Sequence, residues 1–468
     1  MDSNNAKKAS MLYLIGNFFN KGVAFLSVPI FTRLLSTSDY GIINTYQSWI
    51  GIAVMIMGYA LHMGIYNSFV DYKDKTGEYL STILKFTLIS TAVIVLLACC
   101  VVKIFNINIP LFLIVMLLLH ATSIAILDDI SYYLMMKYQY VKRTLLMILP
   151  NLFSVCVSMV IIKFVLDSKL YYGRIFTDAI TWIVFAVIIV IAYVKKGGIN
   201  REFLKHGLKI SLPLIVHGAT LSILSNSDRI MITWLADSSQ SGIYSLAYSF
   251  GSIAYAIFIS FDGVWMPWFI NSLSEKKHKE INSVTNDYTR FITYIMCCLI
   301  IVSPELLKIL ASKPYWEGIK IIPLIVLANF LYFLYTRYSN LEHFYKKSTQ
   351  ITLLTVVAAV INVGLNFLLI PKLGYVAAAF TTVIAYFVIF ILHSIYSKTL
   401  NPEVLHIKSF ILPLIEVLIS CGLFYLLLDK PIIRWVGMFV YLGVVAYLER
   451  KKIEEILLPN IKKKIFKK

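Results

Sequence analysis

In the stretch LSILSNSDRIMITWLADSS (Leu221–Ser239) an acid and a base, Asp228 and Arg229, stand side by side in an otherwise apolar and small-residue run. Other apolar runs carry Lys21, Lys85, Arg290 and Arg337, and the acids Asp128, Asp129, Asp178, Asp262, Glu342 and Glu416. A charge held at the middle of a membrane costs about 2.5–3.5 kcal/mol on insertion scales, so it is expected to pair or to serve a function. Two chemistries follow. Cationic side chains, guanidinium above all, bind phosphate oxygens, which makes Lys21, Arg33, Arg229, Arg290 and Arg337 candidate contacts for an anionic substrate. A carboxylate removed from water can carry a proton or a cation, which makes Asp128, Asp129, Asp178, Asp228 and Asp262 candidate ion-coupling groups. Plainer uses stand beside these. Any of the deep charges can tie one helix to another, and Arg33, Lys85 and Arg290 sit near span ends, where anchoring suffices. Neighbours on a helix point about 100° apart, so Asp228 and Arg229 should have separate partners. Arg337 and Glu342 are five residues apart, too far for a good intrahelical pair, and Glu342 is expected at the interface. His62, His120 and His217 read as packed structural residues rather than proton relays.

The elements that position these groups are membrane spans. Of 468 residues, 59% are hydrophobic and 15% charged, where a soluble domain has about 45–50% and about 25%. The formal charge of +18 suits loops facing anionic lipid, and no zinc-finger spacing or basic stripe points to nucleic acid. Runs of roughly 20 apolar residues recur about fourteen times, from 11–32 and 42–70 through 209–235 to 410–428 and 432–449. The last two are separated only by Asp429-Lys430-Pro431. Of the 43 Lys and Arg, 27 fall in one alternating set of loops and tails and 11 in the other, so both termini are expected in the cytoplasm. The six cysteines lie in apolar runs without metal-ligand spacing and read as small hydrophobes.

One segment repeats. RLLSTSDYGIINTYQS (Arg33–Ser48) and WLADSSQSGIYSLAYS (Trp234–Ser249) match at an offset of 201, with Leu34/Leu235, Ser38/Ser239, Gly41/Gly242, Ile42/Ile243 and Ser48/Ser249 identical. Six spans separate the copies, and an even number preserves orientation, so the repeats are parallel. The expected organisation is one six-helix lobe over 1–200, a second over 201–400, and two extra helices with a basic tail over 401–468. No P-loop, H-E-x-x-H or G-x-S-x-G motif appears, and no hydrophilic loop is long enough for a catalytic domain, so the chain is not expected to be an enzyme.

Asn17–Ser48, with Lys21, Pro29, Thr32-Arg33-Leu34-Leu35 and Asp39-Tyr40-Gly41, resembles the opening of bacterial Wzx-type polysaccharide flippases. These belong to a superfamily with the MATE exporters and the lipid II flippase. SDRIMI (Ser227–Ile232) and IPKLGYVAAAFTTVIAY (Ile370–Tyr386) are similar to the family's patterns in spans 7 and 12, with Val376-Ala377 where Gly is usual. The resemblance implies a multi-pass protein of the bacterial cytoplasmic membrane. It implies translocation of an undecaprenyl-pyrophosphate-linked oligosaccharide, such as an O-antigen or capsule repeat unit, from the cytoplasmic to the outer leaflet by alternating access. H⁺ or Na⁺ is the implied coupling ion, with no cofactor, and the implied partners are membrane lipids, a polymerase and other glycan-assembly proteins. Two alternatives stay open: a small-molecule antiporter of the same fold, and a non-transporting enzyme or scaffold of the glycan pathway.

Overall fold

The computed structural model describes residues 22–23, 26–106 and 109–450, apart from the side chains of residues 213, 216 and 217. Lys21 and the side chain of His217 lie outside the described residues. Helices account for nearly all of the rest, and no strand occurs among the described residues. In chain order they are α1 (Thr37–Gly58), α2 (His62–Asp71), α3 (Thr76–Ile104), α4 (Leu111–Met136), α5 (Tyr140–Phe164), α6 (Tyr171–Tyr193) and α7 (Arg201–Leu235). Then follow α8 (Ser238–Ser274), α9 (His278–Leu310), α10 (Ile322–Phe344), α11 (Ser348–Leu373), α12 (Tyr375–Leu400), α13 (Lys408–Leu426) and α14 (Pro431–Leu448).

Among the described residues, twelve helical segments are long and apolar enough to cross a membrane, α1 and α2 together counting as one. The chain is therefore an all-α, polytopic membrane protein. Two of the expected spans fall outside that set. The first, 11–32, lies largely outside the described residues. The seventh is α7, which at 35 residues is about 50 Å long. Three of its side chains, at 213, 216 and 217, lie outside the described residues, and its apolar stretch 208–225 carries a single charge, Lys209, so its sequence still reads as a span. The last two expected spans are separate helices, α13 and α14. Large apolar side chains such as Leu426 and Ile432 are nearly fully exposed, which lipid tolerates and water would not.

Local chemistry sets the helix ends. Ser36 caps α1 as a capping box: its Oγ accepts from the Asp39 amide, and the Asp39 carboxylate accepts from the Ser36 amide. Asn200 caps α7 by accepting from the amides of Glu202 and Phe203. Between α1 and α2 the span breaks, with Tyr59 and Ala60 both at φ 51°, a left-handed conformation unusual for non-glycine residues. Ser211 of α7 donates to the Ala60 carbonyl at 3.0 Å, satisfying a group the break exposes.

The described residues form two compact units. The first holds residues up to 245 with 310–316 and 352–381; the second holds 246–309, 317–351 and those from 382 onward. Within the first unit, α7 runs antiparallel along the whole of α1 and α2. From one end to the other, the His206–Asp71 ion pair at 3.0 Å gives way to Ser211 on Ala60, Ser222 on Gly51, and Thr233 on Thr45. Near its far end the two sequence repeats meet. Thr37 bonds Ser239 at 2.7 Å and Ser38 bonds Ser238 at 2.6 Å, and the offset of 201 turns each contact into the other. A Cβ on Gly41 would stand 1.7 Å from the Ser238 carbonyl oxygen, and one on Gly242 2.0 Å from that of Thr37, so both positions require glycine.

Candidate functional site

In the second unit, α8 and α10 bring Asp262 and Arg337 together. One guanidinium nitrogen, Nη2, donates to both Asp262 oxygens at 2.6 Å, and the Tyr288 hydroxyl donates to Oδ1 at 2.9 Å. The Arg337 side chain is fully buried. Its guanidinium carbon lies 4.2 Å from the Trp265 ring centroid, 4.6 Å from that of Phe333 and 5.2 Å from that of Tyr288. Those aromatic faces stabilise a cation stripped of water. The other terminal nitrogen, Nη1, is buried with no hydrogen-bond partner among the described residues. Asp262 is 20% exposed and rims a hollow of about 370 Å³, lined also by Gly263, Met266, Pro267, Ile270 and Asn271. The arrangement is a guanidinium with an open bonding valence, held by an acid that faces space.

Five residues further along α10, Glu342 is fully buried rather than interfacial. It accepts from His393 Nδ1 at 2.8 Å and from the Ser397 hydroxyl at 2.9 Å, both on α12. Depth along the helix suggested the interface, but packing against α12 covers the side chain. Arg290, near the start of α9, pairs with Glu449 at 3.1 Å, and Arg434 of α14 binds Glu305 of α9. These two ion pairs tie the ends of α9 and α14 together.

In the first unit, Asp228 and Arg229 have different neighbours, as their angular separation requires. Asp228 is buried and accepts from the Tyr244 hydroxyl at 2.6 Å and the Asn366 amide at 2.7 Å. Asn366 in turn meets Asn362 and Thr381. Arg229 donates to the Ser225 carbonyl at 3.4 Å and lies within electrostatic reach of Tyr40. Asp178 is buried and accepts from Gln47 at 2.5 Å and Ser154 at 2.6 Å. Arg174 bonds Ser154 and Ser158, both at 3.1 Å, with its guanidinium over the Phe31 ring. His120 contacts the Tyr46 hydroxyl at 3.2 Å. On α4, Asp129 is buried with Oδ2 unpartnered among the described residues, whereas Asp128 is exposed. Arg33 is exposed and donates to the Pro29 carbonyl at 3.4 Å.

Four participants escape a reading by depth alone. Arg174 reads as a loop charge, although its spacing of four from Asp178 places the two on one helix face. His393 reads as a lone polar residue in an apolar run. Glu305 and Arg434 are 129 positions apart, with no local signal that they meet.

No curated protein matches the chain. Among solved structures, the fold is similar to the lipid II flippase MurJ in an inward closed conformation, with a TM-score of 0.64 and 16% identity over 95% of this chain and all of that one. It is also similar to an inward-facing multidrug resistance MATE transporter of the MOP superfamily, at TM-score 0.63 and 13% identity over 82% of this chain and 96% of that one. A MOP superfamily transporter from Pyrococcus furiosus, described as having a binding pocket of reversed polarity, matches at TM-score 0.53 and 15% identity over 84% and 96%. At these identities the likeness shows the fold. The family model for polysaccharide biosynthesis proteins matches residues 6–273, more than half of the chain, and the chain belongs to that family.

Proposed function

We propose that this protein is a flippase that moves an undecaprenyl-pyrophosphate-linked oligosaccharide from the cytoplasmic to the outer leaflet of the bacterial cytoplasmic membrane. Membership of the polysaccharide-biosynthesis family supports the glycan pathway, and the fold shared with a lipid II flippase supports a lipid-linked cargo. The observation that carries the reading is the Arg337–Asp262 pair. A buried guanidinium with a free donor, whose carboxylate partner Asp262 rims a hollow, is suited to a phosphate oxygen once the pair opens. Arg229, Arg33, Arg290 and Lys21 are the further cationic contacts proposed along the substrate's route. Asp262, Asp228, Asp178, Asp128 and Asp129 are the proposed coupling groups, exchanging H⁺ or Na⁺ as the protein alternates access. Asp228 is the best placed of those in the first unit, because the hydroxyls and amides around it present oxygens to a cation as readily as they donate to the carboxylate. The proposed lobes are residues 1–200 and 201–400, followed by a C-terminal helix pair, with both termini cytoplasmic. A polymerase acting on the delivered lipid-linked unit is the natural partner.

The test is translocation of a fluorescent undecaprenyl-pyrophosphate oligosaccharide in proteoliposomes. A hydrogen bond to a charged group contributes about 1.5–3 kcal/mol, so Arg337→Gln should slow flipping by about ten- to a hundredfold while the protein still folds. Equal rates would remove Arg337 from the substrate path. The four acids of the first unit, Asp128, Asp129, Asp178 and Asp228, favour a second reading, export of organic cations. Gradient-driven efflux of a fluorescent cation, without glycolipid flipping, would establish that reading instead. Inactivity toward both would leave a scaffold.

A further inference from the structure

The Glu342–His393 couple has no part in binding an anion. It lies in the second unit between α10 and α12, and neither side chain has any exposure. Glu342 Oε2 takes the hydrogen bond from Nδ1 of His393, and Oε1 takes that of Ser397. Ser397 also faces the Tyr338 carbonyl. His393 Nε2 is buried and has no partner among the described residues. The titratable groups around the couple are Tyr335, whose ring lies 5.3 Å from that of His393, together with Tyr338 and His343, all on α10. From α13 the contact is Phe410 against Tyr338, which is apolar.

A buried ion pair is a poor way to hold two helices together. Replacing such a pair with apolar side chains of similar volume is often neutral or stabilising. The pair therefore calls for a use beyond adhesion. Its geometry supplies one. Nδ1 and both carboxylate oxygens are already engaged, so only Nε2 is available to gain or lose a proton. A proton passed from hydronium to the Nε2 lone pair, with release of water, turns the imidazole into imidazolium and brings the couple from net −1 to net zero. The neutral couple is the form that a low-dielectric interior accommodates, and the −1 form needs water. Loading and unloading this nitrogen would thus bias α10 and α12 between closed and hydrated arrangements.

We propose that Glu342 and His393 form a further proton-carrying couple beside the proposed coupling aspartates, with Nε2 of His393 as the loading atom, adding one coupled proton through which a pH gradient drives the transport cycle. This rests on the flippase reading for its cargo, and the two can fail separately. The test uses the full chain in proteoliposomes with fluorescent undecaprenyl-pyrophosphate oligosaccharide, with and without an imposed pH gradient. The informative variant is Glu342→Leu with His393→Leu, which removes the couple without stranding a charge. A gradient of one pH unit is worth about tenfold in distribution for each proton coupled. The double variant is expected to melt at or above the wild-type temperature, to keep gradient-independent flipping, and to lose that tenfold bias. A variant that keeps the bias overturns the proposal. If the wild type flips nothing, the cargo reading fails, and the couple is judged by difference infrared spectroscopy of wild type minus double variant. A pH-dependent imidazole band is expected, and its absence overturns the proposal. If the double variant does not fold, Glu342→Gln is measured the same way. It keeps the hydrogen bond but removes the charge that holds a proton on His393, so it should lose the bias too, and a retained bias overturns the proposal.

Discussion

Asp262 and Arg337 stabilise one another only as long as both are present. Removing the carboxylate leaves a guanidinium enclosed by Trp265, Phe333 and Tyr288 with no counter-charge. Breaking a buried pair in this way costs about 3–5 kcal/mol. Asp262→Ala should therefore lower the melting temperature in detergent markedly, and Asp262→Asn, which keeps an oxygen acceptor, should lower it less. Equal, small effects would mean that the aromatic enclosure alone holds Arg337. Depth in an apolar run was enough to single out both residues. It could not pair them, because 75 positions and the whole of α9 separate them and no spacing rule spans that distance. The same criterion misplaced Glu342, since distance from a helix end says nothing about the neighbour that covers it. Lys21, the other deep cation, lies outside the described residues.

The helices themselves were largely legible, because lipid requires each to be apolar for about 20 residues. What hydropathy could not supply was the break at Tyr59–Ala60, where no proline or glycine occupies the left-handed positions. Nor could it supply the contacts by which α7 follows α1 and α2, which run through Ser211, Ser222 and Thr233. The close approach between α1 and α8 makes a sharp forecast. Gly41→Ala and Gly242→Ala each drive a methyl into a backbone carbonyl that has no rotamer to escape by. Each should destabilise the protein by about 1–3 kcal/mol, as overpacking does, and the double variant should cost more than either. Gly422→Ala in α13 is the control, since nothing lies within 4 Å of its added Cβ, and it should be neutral or stabilising by up to about 1 kcal/mol. Thermal unfolding of the four variants would decide between a true wedge and a loose contact.

At the scale of the whole molecule, the proposed alternating access of the two lobes requires that the contact between the two repeats open at some stage. Ser38 and Ser238 approach to 2.6 Å at that contact. In a background without the six native cysteines, Ser38→Cys with Ser238→Cys should cross-link under mild oxidation. Glycolipid flipping should stop on oxidation and return on reduction. Flipping that continues in the cross-linked protein would show that the two repeats stay together throughout the cycle. The repeat was visible in sequence as five identities at a fixed offset, but that its copies touch was not.

That contact has the form of an isologous interface, in which one surface meets its own copy about a two-fold axis. Thr37 faces the second copy just as Ser238 faces the first, and each glycine lies against the other copy's carbonyl. Such a surface is what a half-length ancestor would have used to dimerise before its gene was duplicated and fused. In that ancestor every substitution at the contact was felt twice. Away from the glycines the two copies differ, with Gln240 and Ser241 standing at the positions equivalent to Asp39 and Tyr40. The glycines have not diverged, because each is held by the other copy's backbone rather than by a side chain that could change with it. Expressed as separate polypeptides, the two halves should therefore still recognise one another along this line.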